Sequence, residues 1–225
     1  MGITFGRLFA CLVFAAACTF GGAARADEAT DFIAKMTAAM AGIKSMQVSI
    51  GGSRAQAGFS IVMTIVTPDR VKEAMTMGPL NVDVYSPGDG FYYVHIGTTW
   101  QKAAFEKSQI ASITAQATAI SAGRELKLLP DRTEDGVVVG VYQSVVHAPA
   151  MFGAPAHVST SICSYDKLTY LMKKCDDGTF ATTYSHYDDP ANVIELPPEA
   201  KDAALITLPA FPLSASPDPN PAPKS

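Results

Sequence analysis

The chain has 225 residues, a formal net charge of −4, 48% hydrophobic residues and four cysteines. That length and apolar content suffice for one domain with a sizeable core. The acidic balance, without any run of lysines and arginines, excludes a basic stripe for nucleic acid or an anionic lipid surface.

The opening stretch, MGITFGRLFACLVFAAACTFGGAARA, reads as a targeting segment. Arg7 is its positive start, Leu8–Phe20 its apolar run, and Ala24-Arg25-Ala26 a small-x-small cleavage site. The apolar run is too short to span a bilayer. Ala15-Ala16-Ala17-Cys18 also places small residues before a cysteine, as lipid attachment requires, but lacks the leucine usual three residues before such a cysteine. The expectation is cleavage after Ala26, giving a periplasmic or secreted protein that touches membranes only transiently unless Cys18 carries a lipid. Cys11 and Cys18 leave with the segment, and Cys163 and Cys175 travel to a compartment where disulfides form.

Residues 28–43, EATDFIAKMTAAMAGI, place Phe32, Ile33, Met36, Ala39, Met40 and Ile43 at helical spacing. Asp27 and Glu28 stand at the start and Gly42 near the end, as the helix dipole and C-terminal chemistry prefer. This predicts an amphipathic helix. The period then changes to two. MQVSI (46–50) is a strand, and AGFSIVMTIVTP (57–68) a second, with Phe59, Ile61, Met63 and Ile65 on one face and Ser60, Val62, Thr64 and Val66 on the other. Pro68-Asp69 turns into RVKEAMTM (70–77), and NVDVYS (81–86) follows. Pro87-Gly88-Asp89-Gly90 leads into FYYVHI (91–96), and Gly97-Thr98 into TWQKA (99–103). Successive strands joined by short turns make an antiparallel meander. In FYYVHI, Tyr92, Val94 and Ile96 share one face, and Phe91, Tyr93 and His95 the other.

Residues 105–122, FEKSQIASITAQATAISA, return to helical spacing through Phe105, Ile110, Ile113, Ala117 and Ile120. After Pro130 the strands resume with GVVVGVYQSVVH (136–147), AHVSTSICSY (156–165), LTYLMKKC (168–175) and GTFATTYSHY (178–187). The tail is Pro-rich, and its end, SASPDPNPAPKS, cannot bury enough apolar surface to order itself. A sheet of this length must curl and have its apolar face covered. The two amphipathic helices are the cover, either as ordinary core or as a lid over a cavity.

Taken together, IKSMQVSI, VTPDRVKEAMT, VYSPGDGFYYVHIGTTWQKA and the closing hairpins through PANVIELPPEA resemble the periplasmic lipoprotein-carrier superfamily, from about Ala29 to Pro198. The resemblance implies an α+β fold: a single curled antiparallel β-sheet, an unclosed half-barrel, capped by two amphipathic helices. It also implies a hydrophobic cavity for acyl chains, lined or supported by aromatics; the residues themselves, which hold no catalytic or metal motif, lead to the expectation of no catalysis and no cofactor. The organisation expected is a signal peptide at 1–26, the half-barrel domain at 27–198 and a largely disordered tail at 199–225. Carriers are expected to have an arginine just before the proline of the first hairpin. Thr67 stands there, and Arg70 lies past the turn.

The expected function is an exported non-catalytic binding protein for a lipid, an acyl chain or a lipidated partner. The alternative is a sensory or structural protein with a filled core and a protein partner. The cavity candidates are Phe59, Ile61, Met63 and Ile65, with Tyr93, Trp100 and Ile113 near them. Met36, Met40, Met46, Met63, Met75 and Met77 fall on apolar faces, where flexible thioethers suit a variable ligand or an irregular core. His95, His147, His157 and His186 show no metal-binding spacing. Cys163 with His157 or His186 is conceivable as nucleophile and base, but no nucleophile elbow or glycine-framed cysteine accompanies it. Asp131, Asp135, Asp176, Asp177, Asp188 and Asp189 lie in turn contexts, where aspartate bonds its own backbone.

Cys163 and Cys175 are the remaining thiols. Turns of two or four residues between their strands put them on opposite faces, because side chains alternate. An odd-length turn, or a bulge near Lys173-Lys174, brings both to one face. Bridging then requires the Cα atoms to lie under ~7 Å apart. The pairing therefore stays open at this level.

Overall fold

The structure, a computed structural model, describes residues 26–52, 58–104, 124–148 and 157–206. A single α-helix stands among the described residues, α1 (Ala26–Ala41). Phe32 and Met36, one turn apart, are buried, and the more exposed Lys35 bridges to Asp31 at 2.7 Å. The second expected helix, 105–122, lies outside the described residues.

A first meander follows: β1 (Ser45–Gly52), β2 (Phe59–Val66), β3 (Arg70–Met77), β4 (Leu80–Ser86), β5 (Phe91–Ile96) and β6 (Thr99–Ala104). A second consists of β7 (Arg124–Glu134), β8 (Val137–Ala148), β9 (His157–Asp166), β10 (Met172–Asp176) and β11 (Phe180–Ser185). A short 3-10 turn, Pro198–Ala200, precedes β12 (Ala204–Leu205). All twelve strands join one unclosed sheet in the order β12-β6-β5-β4-β3-β2-β1-β11-β10-β9-β8-β7. β1 is thus internal, paired with β2 on one side and β11 on the other; the first meander runs outward from it, and the second starts at the far edge and runs back to it. Every pairing is antiparallel except β12 on β6. This is the expected α+β half-barrel, with one helix among the described residues.

β7 was not expected as a strand, because Pro130 interrupts its sequence. Proline donates no ladder hydrogen bond and is confined to edges and bulges. Both conditions hold: β7 is the edge strand, and the β7–β8 register slips between Leu129 and Arg132.

Register assigns the two faces. On the inner face, one cross-strand row runs Val48, Met63, Glu73, Val84, Val94, Gln101, and another runs Ile50, Thr182, Cys175, Cys163, Tyr142, Leu128. α1 packs on the second region, where the Phe32 ring lies 5.2 Å from Tyr142 and 4.7 Å from Tyr165. Cys163 and Cys175 are directly opposed and form a disulfide. The bulge was the route: Tyr165 pairs with Met172 but Ser164 with Lys174, so Lys173 is the extra residue that brings Cys175 to the inner face.

The outer face has its own cover. After β11 the chain crosses the first meander, and Ile194, Ala200 and Ala203 bury Tyr85 and Tyr93 with Trp100 beside them. Asn192 ties the strap down, its Nδ2 donating to Ser45 Oγ at 3.0 Å and to the His186 carbonyl at 2.6 Å. Ala200 is fully buried, and β12 then adds to β6. The Ile206 amide donates to the Lys102 carbonyl at 2.8 Å, so the chain stays packed on β6 through residue 206, where apolar Ala200 and Ala203 give the segment a face to bury.

Candidate functional site

The strongest candidate is the inner face of β1 to β5. Ile61 and Met63 on β2 are 2% and 3% exposed, with Met46, Val48, Met75, Val82, Val84 and Tyr92 buried around them. Phe59, Ile65, Met40 and Met77 are partly buried against the same cluster. The methionines on three adjacent strands give a wall of flexible, polarizable side chains. Of the residues expected to line a cavity, the four on β2 are therefore together on this face.

Tyr93 and Trp100 are not with them. Tyr92 and Val94 point inward, so Tyr93 points outward. The two-residue turn Gly97-Thr98 pairs His95 with Trp100, which carries Trp100 to the outer face as well. There the indole stacks on the His95 ring at 4.6 Å and lies 5.7 Å from Tyr85. These aromatics are the floor under the C-terminal strap. Ile113 lies outside the described residues.

Glu73 is the site residue that the reading of motifs passed over. It stands on β3 between Met63 on β2 and Val84 on β4. Glu73 is 1% exposed, and among the described residues its Oε1 has no hydrogen-bond partner. Loss of water pushes its carboxyl up to about 7 from an ordinary 4.5. The signal was present in RVKEAMTM, where alternation from Val71 puts Glu73 on the face of Met75 and Met77. Burial likewise raises the Tyr92 phenol.

The remaining polar groups serve structure. Asp188 Oδ1 accepts from the Lys44 and Ser45 amides at 2.6 and 3.1 Å, pinning the junction of α1 and β1. Thr67, at the position where the resemblance expects arginine, donates its hydroxyl to the Lys44 carbonyl at 3.1 Å, on the same junction. Asp176 and Asp177 accept backbone N–H bonds within their turn. His95 faces Asp83 at 3.5 Å on the outer side, and His147 faces Glu125 at 3.6 Å. Among the described residues no three His, Cys, Asp or Glu side chains gather as metal ligands. Cys163, bound in the disulfide, offers no thiolate nucleophile. An open outer groove of about 460 Å³ beside Arg132, Thr160 and Asp177 carries charges that pair locally, Arg132 with Glu134 and Lys174 with Asp176.

With this geometry in hand, two solved structures share the fold. Lipoprotein LppX of Mycobacterium tuberculosis superposes with a TM-score of 0.52 at 15% identity, over 73% of this chain and 98% of that one. LprF from Mycobacterium bovis gives 0.53 at 12% identity, over 79% and 99%. The unclosed, mostly antiparallel sheet expected from the sequence is thus shared with LppX and LprF, and the likeness is one of fold. No protein-family model and no curated protein sequence matches the chain.

Proposed function

We propose that this chain is an exported, non-catalytic carrier that holds a lipid, an acyl chain or a lipidated partner against the inner face of its half-barrel. The observation that carries the reading is the methionine-rich inner face of an unclosed sheet, Met46, Met63 and Met75 among valines and isoleucines. Such a face adapts to chains of different length without specific polar contacts. The likeness of fold to LppX, itself a lipoprotein, supports an extracytoplasmic setting. Among the described residues no helix is long and apolar enough to cross a membrane. The partners this implies are small hydrophobic molecules or lipidated protein.

A second reading rests on burial. Ile61, Met63, Met75 and Val82 are already shielded within the chain itself, as a filled core requires. The protein would then be a sensory or structural module with a protein partner. Mass spectrometry of an organic extract of the purified protein separates the two. Stoichiometric co-purified lipid is expected for the carrier, and a lipid-free extract overturns it.

A further inference from the structure

An apolar binding wall has no use for a buried carboxyl, yet Glu73 stands in its middle. The side chains opposite it are Met63 and Val84, and those flanking it on β3 are Val71 and Met75. None of these can donate a hydrogen bond, and Oε1 has no partner among the described residues. A buried acceptor left unpaired is destabilising in either protonation state. For core filling alone, methionine or leucine in its place would be more stabilising. The arrangement becomes favourable once a bound molecule supplies the missing donor.

We propose that Glu73 is the polar anchor of the ligand site, and that the inner face takes a single-chain amphiphile whose alkyl chain lies along the β2–β4 methionines and whose ammonium or hydroxyl group donates to Glu73 Oε1. This inference rests on the carrier reading and names the ligand class for it. The ionised carboxyl pairs with an ammonium through a charge-assisted hydrogen bond. The protonated carboxyl still accepts from a hydroxyl through its carbonyl oxygen. A fatty carboxylate placed there meets like charge above neutral pH, with no cation among the four neighbours to offset it.

The test is a fluorescence titration of the exported chain with N-phenyl-1-naphthylamine at pH 8. The bound probe is then displaced by dodecylamine, dodecan-1-ol or dodecanoate below their micellar concentrations. Wild type, Glu73→Gln and Glu73→Met are compared, with circular dichroism as the check on folding. The wild type should release the probe to dodecylamine at least about tenfold more readily than to dodecanoate. Glu73→Gln should lose that preference but keep displacement by dodecanol. Glu73→Met should still bind the probe while losing both donor preferences. An amine-to-carboxylate ratio unchanged in Glu73→Gln overturns the anchor and leaves the carrier reading standing. No probe binding by folded wild type overturns the carrier reading, and the anchor with it.

Discussion

Glu73 links one side chain to the pH at which the fold is strongest. Its carboxyl is raised from 4.5 to about 7 by loss of water, so between those values the folded chain binds more protons than the unfolded one. The cost of burying this group is smallest below about pH 4.5 and reaches its full size once pH has risen through about 7. The loss of stability across that range is up to about 3 kcal/mol at ~1.4 kcal/mol per pKa unit. Urea melts from pH 4.5 to 8 should show this decline, and Glu73→Gln should flatten it. Asp166, held low chiefly by the Thr169 amide, titrates below that window and does not mask it. Gly140 is a second sensitive position. Tyr165 lies across it, and a Cβ there would sit 2.2 Å from a ring carbon. Gly140→Ala should push the ring off Phe32 and Tyr170 and cost about 1–3 kcal/mol by denaturant titration. Met63 tests what the inner face contains. Met63→Arg should leave a folded sheet with weakened fluorescent-lipid uptake if a ligand space exists, whereas a filled core cannot take the charge and the variant would not fold.

Elements differ in how openly the sequence declared them. RVKEAMTM and FYYVHI became β3 and β5 at the expected bounds, because alternation and glycine or proline turns mark both ends. β7 was hidden by Pro130, whose tolerance depends on an edge position that only the completed sheet reveals. The misplacement of Tyr93 and Trp100 was avoidable, since parity along β5 and the two-residue turn after it decide their face. The bulge at Lys173 is one of the two routes the sequence leaves open for the cysteines, and it could not be chosen in advance because a one-residue slip leaves no mark in composition and yet decides whether Cys163 and Cys175 meet. The disulfide closes a separation of 12 residues over the β9–β10 hairpin, beneath Phe32 and Met36. Denatured, unreduced protein should show no free thiol after cleavage at Ala26. Replacing both cysteines with alanine should lower stability by about 3 kcal/mol in a thermal or urea melt.

At the scale of the whole molecule, export of the proposed carrier makes the segment before α1 a cleaved targeting peptide. N-terminal sequencing of exported protein should begin at Asp27, while a diacylated start at Cys18 would make it membrane-anchored. The topology bears on the same journey. The middle strand of the sheet, β1, takes its second partner from β11, Gln47 opposite Ser185. β6 takes its outer partner from β12, Gln101 opposite Ala204. The first-made half of the sheet thus has both flanks unpaired until the last-made part of the chain arrives. Contacts so distant in sequence form late, because the loops between them must close first. A chain of this design stays slack until β11 and β12 are available to pair, a timing that would suit passage through a membrane before folding if the chain is exported as proposed.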